Sequence, residues 1–367
     1  MNKALTLAKP HFDKEDINKL ITVLMSGNLV QGTEVVAVED KITRTLTCKY
    51  ASMVSNGTAS LHLALKALNI GKGDEVIIPA FSYMATANVV ELVGAKPIFV
   101  DINIKTFNID ETQIKNHITD NTKAIMPVHE FGLCANMNAI MEIAKKYNLF
   151  VIEDAACALG AKINDSFAGT FADFGSFSFH PRKAVTSGEG GCVVTNNENY
   201  NKLIKTLRNH GIEYGNPVMN FVEAGFNYRM TDFQAALLNG QIDKLCAIIE
   251  KKTTYANIYQ NELKNNNFEV PYTPYNYKHT WQTFHVLVET HKRRNELIDY
   301  LRENAVLTNY GAQCMPLMSY YQNKYHHDCE SEFPNAYKAF RCGIALPIHE
   351  HLDSNDIQYI ILLLNNF

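Results

Sequence analysis

Up to about residue 200, short β-branched runs alternate with longer stretches of helical period, and turn residues separate them. This alternation limits the possible folds more than any other feature of the chain, because it is typical of a parallel sheet with helices on both faces. Two intervening helices are predicted at 58–68 and 137–146, where apolar residues recur on one helical face. Strands are predicted at 75–78, 97–100, 124–128, 149–152, 175–179 and 192–195.

The pattern changes near residue 231. Thr231-Asp-Phe-Gln234 has the form of a capping box, and it opens a helical stretch that is expected to run past residue 250 and to connect two domains. A length of 367 residues suits two domains at roughly 150 residues each. We predict a large domain over 1–250 and a smaller α+β domain over 251–367, with about the first 25 residues packing on the small domain.

Charge and hydropathy exclude several classes of protein. Lys and Arg number 34 against 38 Asp and Glu, without a basic block, so nucleic acid is not an expected partner. The longest apolar stretches, such as 359–364, are far shorter than the ~20 residues that span a bilayer, and the N-terminus does not resemble a signal peptide. We therefore expect no membrane association and a cytoplasmic location.

The eight cysteines are scattered and form no C-x-x-C pair, which indicates reduced thiols rather than a disulfide framework. His326-His-Asp-Cys329 is the densest group of possible metal ligands. Adjacent side chains rarely converge on one ion, and no second cluster lies at a supporting spacing. We predict no metal site.

Ser55-Asn-Gly-Thr58 lies at the predicted start of the helix over 58–68. A glycine followed by a hydroxyl residue at a helix start leaves backbone N–H groups and the positive end of the helix dipole available to a phosphate. The same residues suit an ordinary helix start with Thr58 near the cap, and alone they favour that plainer interpretation.

Glu153-Asp154 directly follows the apolar run 149–152. Ligands of open α/β sheets bind beyond the carboxyl ends of the strands, so a carboxylate at this position faces the expected site. Asp154 could pair there with a cationic ring nitrogen. Its alternative role is the N-cap of a following helix.

Lys183 follows a predicted strand and precedes a glycine-rich return at 188–191. Desolvation and the neighbouring cations His180 and Arg182 are expected to depress its pKa toward that of a Schiff-base nucleophile. A solvated surface turn is the alternative. Gly188-Glu-Gly-Gly191 matches neither a G-x-G-x-x-G loop nor a Walker loop, so nucleotide binding of those kinds is not predicted.

The order of these three motifs suits pyridoxal phosphate (PLP). This cofactor needs an anion site for its phosphate, a carboxylate for its pyridinium nitrogen and a lysine for its aldehyde. The sequence offers them in turn at 57–58, at Asp154 and at Lys183.

Over nearly its whole length the chain resembles the DegT/StrS-type aminotransferases, fold-type I PLP enzymes of the aspartate aminotransferase superfamily that act mostly on nucleotide-linked keto sugars. The resemblance implies a three-layer αβα large domain with a mainly parallel mixed sheet and a smaller α+β C-terminal domain. The matching stretches are Gly27-Asn-Leu-Val-Gln-Gly32, Ser55-Asn-Gly-Thr-Ala-Ser-Leu61, Asp74-Glu-Val-Ile-Ile-Pro79, Glu153-Asp-Ala-Ala156, Ser178-Phe-His-Pro-Arg-Lys183, Gly188-Glu-Gly-Gly191, Asn227-Tyr-Arg-Met230 and Gln234-Ala-Ala236.

The resemblance assigns roles residue by residue. Lys183 would hold PLP and shuttle a proton as the catalytic residue, and Asp154 would keep the pyridine nitrogen protonated. Tyr83 would stack on the cofactor ring, with a half-buried loop tyrosine as the alternative. The phosphate would be held by Gly57, Thr58 and Ser178.

The resemblance also implies a homodimer with shared active sites, because Asn227 occupies the position from which the family's neighbouring subunit contacts the phosphate. Arg229, His180 and His129 would lie near the substrate. For His180 and His129 a structural role is an equal alternative.

Two positions depart from the family's pattern. Where many relatives carry Gln to bind the phenolic oxygen of the cofactor, this chain has Cys157, whose thiol is a weak donor. Cys157 would take the place of that Gln at the cofactor, with a small packing residue beside the ring as the alternative. Relatives often have an apolar residue where this chain has Glu130, so Glu130 could alter the sugar pocket.

The implied reaction transfers an amino group from L-glutamate to a keto group of a nucleotide-linked sugar. The segment Asn227-Tyr-Arg-Met230 is more similar to that of relatives that aminate C-4 of a 4-keto-6-deoxyhexose. Amination at C-3 of a keto sugar or of a keto-cyclitol is the alternative. A remote alternative is a non-catalytic dimer that binds PLP as a sensor or scaffold. The expected pathway is polysaccharide biosynthesis.

Overall fold

The computed structural model of the chain describes residues 4–213, 218–263 and 267–367. Its α-helices, numbered in chain order, are α1 Lys14–Ser26, α2 Thr33–Leu46, α3 Gly57–Ala67, α4 Ala85–Leu92, α5 Glu111–Ile114, α6 Met137–Tyr147, α7 Glu198–Leu207, α8 Asp232–Asp243, α9 Leu245–Leu263, α10 His291–Glu303, α11 Ser319–Tyr325, α12 Cys329–Glu332, α13 Pro334–Cys342 and α14 Ser354–Asn366. Its strands are β1 Tyr50–Val54, β2 Glu75–Pro79, β3 Phe81–Ser82, β4 Lys96–Val100, β5 Thr122–Ile125, β6 Phe150–Asp154, β7 Lys162–Ile163, β8 Ser166–Phe167, β9 Phe174–Ser178, β10 Gly191–Thr195, β11 Tyr277–Lys278, β12 Phe284–Leu287, β13 Gln313–Cys314 and β14 Gly343–Leu346.

The main sheet has the strand order β1-β10-β9-β6-β5-β2-β4. From β9 to β4 all neighbours run parallel, whereas β10 lies antiparallel to both β9 and β1. The predicted α/β class with a mainly parallel mixed sheet is therefore confirmed. Strands form at all six predicted places, and β1 is an additional strand that the sequence pattern did not indicate.

Helices cover both faces of this sheet and create two hydrophobic cores. Neighbouring residues of β2 show the alternation, since Ile77 packs in one core and Val76 and Ile78 pack in the other. Side chains of a strand point alternately to opposite faces, so a strand covered on both sides is apolar throughout. The first core receives α2, α6 and α8, and the second receives α3 and α4.

A third core, built on β12, β14, α10 and α14, occupies the C-terminal part of the chain. Helix α9 joins it to the first core, because Leu245 and Ile249 pack in the first core and Tyr259 packs in the third. The N-terminal segment contacts both parts: Leu5 pairs with Val306, whereas α1 packs against α8. The boundary at residue 250 stays a prediction.

The capping box at Thr231 is present, with Gln234 reaching back to the Thr231 amide, and α8 begins there. One continuous helix from this point past residue 250 is a wrong expectation, because the helix ends at Asp243 and α9 starts afresh at Leu245. None of the described helices is long and apolar enough to cross a membrane. All eight cysteines are free thiols.

Candidate active site

Three chain segments meet at one edge of the main sheet. The parallel strands β6 and β9 end there at Asp154 and Ser178, and β1, which runs in the same direction, leads there into α3. Carboxyl ends of parallel strands are the usual ligand site of open α/β sheets. The predicted motifs at 55–58, 153–154 and 178–183 are thus brought to a common place.

The start of α3 approaches Ser178 closely. A Cβ atom added to Gly57 would lie 2.8 Å from Cβ of Ser178, so only glycine permits this contact. Asn56 is the N-cap, and its side chain accepts the amide of Ala59 at 2.8 Å. The first amides of a helix lack partners within it, so Gly57 and Thr58 present N–H groups beside the Ser178 hydroxyl, an arrangement that suits a phosphate.

Asp154 is a buried carboxylate at the end of β6, with 5% of its surface exposed. One oxygen accepts the Thr86 hydroxyl at 2.8 Å and the other accepts the Ala156 amide at 3.2 Å. The Thr86 hydroxyl in turn bonds that of Ser82 at 3.1 Å. Burial raises the pKa of Asp154, while the bonds from Thr86 and Ala156 oppose the rise. A cation placed against this carboxylate would be stabilised, which fits a protonated ring nitrogen.

Lys183 lies in the turn after β9, and its Nζ donates a hydrogen bond to Sγ of Cys157 at 3.1 Å. Burial by itself lowers the pKa of Lys183, but Cys157, Asp154 and Glu130 face the amine, and the pKa is raised. The expectation of a depressed pKa is therefore wrong for the structure as it stands. The groups that shift the pKa of this amine are two acids and a thiol, and the expected effect of the cations His180 and Arg182 is not among them.

Both departures from the family's pattern lie beside the lysine. Burial raises the pKa of Cys157, and the adjacent Lys183 opposes the rise. Glu130 is 4% exposed, and burial together with the charge of Asp154 raises its pKa to about 8. Glu130 is thus a protonated acid near neutral pH, and it belongs to the surroundings of Lys183.

His129 is fully buried, and both of its ring nitrogens have protein partners. Nδ1 accepts the amide of Ala135 at 3.0 Å, so Nε2 carries the proton and donates to Glu153 at 2.8 Å. Glu153 also accepts three backbone amides from the segment that follows β8, those of Gly169, Phe171 and Ala172. This geometry favours the structural alternative for His129.

His180 differs from His129, because it is half-buried and, among the residues that the structure describes, only its Nδ1 has a partner, the amide of Arg182 at 3.2 Å. Burial lowers its pKa. Tyr83 is 68% exposed at the end of β3. Asn227 is exposed, and Arg229 donates to the side chain of Asn209 at 2.5 Å in a segment that pairs with Val54, the last residue of β1. The substrate and partner roles of these residues stay predictions.

Thr86 and Lys252 also belong to the site, although the sequence did not predict it. Thr86 is 68 residues from Asp154 in the chain, so no local spacing links them. Lys252 looks like an ordinary polar residue of α9, yet it is 3% exposed and lines a small cavity together with Lys183, His11 and Gln282. Burial lowers the pKa of Lys252 to about 8. Only the folded chain brings these residues to the site.

Within the described ranges, no three His, Cys, Asp or Glu side chains gather in a way that could hold a metal ion. The residues that are present do fit PLP: an anion-binding helix start, a buried carboxylate that a cation would stabilise, and a lysine amine at the same sheet edge. Gly57, Thr58 and Ser178 would hold the phosphate, Asp154 the ring nitrogen and Lys183 the aldehyde carbon.

Comparisons with known proteins agree with this geometry. Residues 10–365 match the model of the DegT/DnrJ/EryC1/StrS aminotransferase family. GDP-perosamine synthase of Escherichia coli O157:H7 is 36% identical over 97% of this chain and 95% of its own.

Two solved structures have closely similar folds. The PLP form of the putative sugar aminotransferase Spr1654 from Streptococcus pneumoniae is 26% identical with a TM-score of 0.93, covering 99% of this chain and 98% of its own. Helicobacter pylori PseC, an aminotransferase involved in the biosynthesis of pseudoaminic acid, is 26% identical with a TM-score of 0.93 over 100% of both chains. The chain therefore belongs to the DegT/DnrJ/EryC1/StrS aminotransferase family and is a PLP-dependent sugar aminotransferase.

Proposed function

We propose that the enzyme transfers the amino group of L-glutamate to the C-4 keto group of a nucleotide-linked 4-keto-6-deoxyhexose. The observation that carries the proposal is the meeting of the Lys183 amine, the Asp154 carboxylate and the start of α3 at one sheet edge. The 36% identity to a synthase of a GDP-linked sugar supports a nucleotide-linked acceptor. The sequence Asn227-Tyr-Arg-Met230 supports C-4 over C-3.

When bound, PLP supplies an aldehyde that accepts the amino group and a ring that withdraws electrons from the adjacent carbon. Lys183 Nζ would move the proton between the substrate carbon and the cofactor, because it is the basic group at this site. Asp154 would hold the proton on the ring nitrogen, since a buried carboxylate strongly favours a cationic neighbour. The amides of Gly57 and Thr58, with the Ser178 hydroxyl, would fix the phosphate and hence the orientation of the ring.

The acceptor would enter beside β3. Ser82, the last residue of β3, precedes the exposed Tyr83, and β3 pairs with β13 at Gln313–Cys314. His180 offers a nitrogen at the same edge of the sheet, which supports its role in substrate binding. We keep Tyr83 as the residue that stacks on the cofactor ring, because its ring is accessible.

We also propose that the active enzyme is a homodimer. Large apolar side chains are exposed along the N-terminal region and again shortly before Asn227, and contiguous exposed apolar surface marks interaction sites. A second copy that covers both regions would bring its Asn227 to the neighbouring active site. The exposed residues are Ile17, Ile21, Leu24, Met25, Val30, Val36, Val218, Met219, Phe221 and Val222.

The visible absorption spectrum of the full-length protein with added PLP tests the first half of the reaction. We expect a lysine-bound cofactor band that L-glutamate replaces with the band of the amino form of the cofactor. Lys183→Ala should lose this band and all turnover, whereas Lys145→Ala, which removes an exposed lysine from α6, should behave like the wild type. A cofactor band that glutamate leaves unchanged would refute glutamate as the donor.

A panel of acceptors then tests the second half. The protein loaded by glutamate is mixed with 4-keto and 3-keto nucleotide sugars and with a keto-cyclitol, and return of the first band is followed. We expect the 4-keto-6-deoxyhexose to react fastest. Faster reaction of a 3-keto sugar or a cyclitol would overturn the assignment to C-4 and leave the transaminase assignment intact.

A further inference from the structure

The contact between Cys157 and Lys183 places a thiol against the amine on which the enzyme depends. Sγ and Nζ are 3.1 Å apart, with the amine donating to the sulfur. Both residues are partly exposed at the open edge of the sheet, so small solutes can reach them. Transamination itself makes no use of a thiol.

We propose that, in the enzyme without its cofactor, Cys157 and Lys183 form a reversible oxidative bridge, a covalent Sγ–Nζ bond made in the presence of peroxide, which keeps the Lys183 amine from taking up PLP. This modification site is independent of the sugar substrate proposed above. The oxidant is hydrogen peroxide, which is small enough to enter the cleft.

Two balanced steps make the bond. In the first, the thiol attacks peroxide: the O–O bond breaks, an S–O bond forms, sulfur loses two electrons, and one water leaves as Cys157 becomes a sulfenic acid. In the second, Nζ attacks that sulfur: an N–S bond forms, the S–O bond breaks, a second water leaves, and the ammonium releases one proton. Sulfenic acids are known to condense with nitrogen in this way.

The surrounding groups determine when the bridge forms. Burial raises the pKa of Cys157, so the thiol predominates over the thiolate near neutral pH. Because the thiolate is the stronger nucleophile, the attack on peroxide is slow. Asp154 also faces Lys183, and its carboxylate can take up the proton that the amine releases. Bound PLP occupies the same amine, and it should therefore block the second step.

The bridge would have a protective effect. A sulfenic acid that stays free can be oxidised further to a sulfinic acid, which thiols do not reverse. An N–S bond removes that route, and two equivalents of a thiol reductant restore both side chains while forming one disulfide of the reductant. The cofactor-free enzyme would thus lose its capacity to take up PLP under peroxide and regain it after reduction.

Peptide mass spectrometry tests the bridge directly. Full-length protein, with saturating PLP or after its removal by dialysis, is treated with hydrogen peroxide and digested with trypsin. Trypsin cannot cut after a modified lysine, so the bridge joins peptides 147–162 and 183–202. We expect this pair, lighter by two hydrogen atoms, mainly without PLP, with loss of both unmodified peptides and their recovery after a thiol reductant.

Variants separate the bridge from other oxidations. Cys157→Ser and Cys157→Ala should show no linked peptides, and Lys183→Arg should stop at a sulfenic acid that a cyclic diketone traps. Cys246→Ser, which removes an exposed thiol of α9, should form the bridge as the wild type does.

Three outcomes would overturn the proposal. One is oxidation of Cys157 in the wild type without linked peptides. Another is a linkage to peptide 184–202, which indicates a disulfide with Cys192 and a free Lys183. The last is a linked pair that retains an extra oxygen atom, which excludes the direct N–S bond.

Discussion

Replacement of Thr86 by valine removes a hydrogen bond from the buried carboxylate that would hold the ring nitrogen of PLP, with little change in shape. The Thr86 hydroxyl donates to Asp154 at 2.8 Å, and both residues are almost fully buried. Hydrogen bonds to charged groups contribute about 1.5–3 kcal/mol. Only the part of this energy that favours the transition state over the free enzyme affects kcat/KM, so Thr86→Val should lower kcat/KM by at most about 10- to 100-fold.

The pH dependence gives the sign of the effect. The bond from Thr86 lowers the pKa of Asp154, so its loss lets burial raise that pKa further. The ring nitrogen needs the ionised carboxylate, and a higher pKa leaves less of it at low pH. The acid limb of the kcat/KM profile should therefore move to higher pH in the variant.

The assay is a pH series of steady-state rates with glutamate and the accepted keto sugar. Ser82→Ala, which removes the hydroxyl's bonds to Thr86 at 3.1 Å and to Glu130, should have a smaller effect in the same direction. Thr112→Val is the matched control, because Thr112 donates to Asp110 at 2.7 Å on the exposed surface. A Thr86→Val enzyme with the rate and the acid limb of the wild type would refute the role of this hydroxyl.

Three further predictions concern the dimer and the buried acids. Mixing inactive Lys183→Ala and Asn227→Ala subunits should restore about a quarter of the wild-type activity. Half of the dimers that form are hybrids, and each hybrid has one intact site of its two. Mixtures no more active than their components would exclude shared sites. His129→Leu should lower the free energy of unfolding in urea by about 1.5–3 kcal/mol, because Glu153 loses a buried donor, and should leave KM unchanged. A raised KM at unchanged stability would instead support substrate binding by His129. The pKa of Glu130 is raised from 4.5 to about 8, so between these pH values the native state holds an extra proton and loses stability as pH rises. The free energy of unfolding of Glu130→Gln should therefore increase relative to that of the wild type as pH rises through this window. A constant difference between the two unfolding free energies would contradict the shift.

The strands were predictable because burial on both faces leaves a plain signature. Apolar runs such as Val76-Ile-Ile78 serve two cores at once and therefore consist of β-branched residues. β1 gave a weaker signal, since Tyr50-Ala-Ser-Met-Val54 contains one β-branched residue. Its place at the sheet edge depends on antiparallel pairing with β10, about 140 residues away, which no local pattern encodes.

The electrostatics of the lysine were harder to predict than its position. Chain neighbours suggested cations around Lys183, because His180 and Arg182 adjoin it in sequence. In the fold the amine donates a hydrogen bond to Cys157, which lies 26 residues earlier. A pKa depends on groups within a few ångströms of the charge, and sequence distance gives little information about them.

The pair Glu153-Asp154 shows how far sequence and geometry can be combined. Successive residues of a strand point to opposite faces, so only one of these two carboxylates can face the start of α3. The parallel register aligns Asp154 with Ser176, and Ser178 lies two residues further along β9 on the same face. Ser178 touches Gly57, so this face is the one that meets α3, and Asp154 faces the site. Glu153 must then point to the other face, where it binds His129 and the amide of Gly169. Strand period and register therefore assign the two acids once Ser178 is placed. Asp154→Asn would change the chemistry of the site, whereas Glu153→Gln would change the structural support around His129.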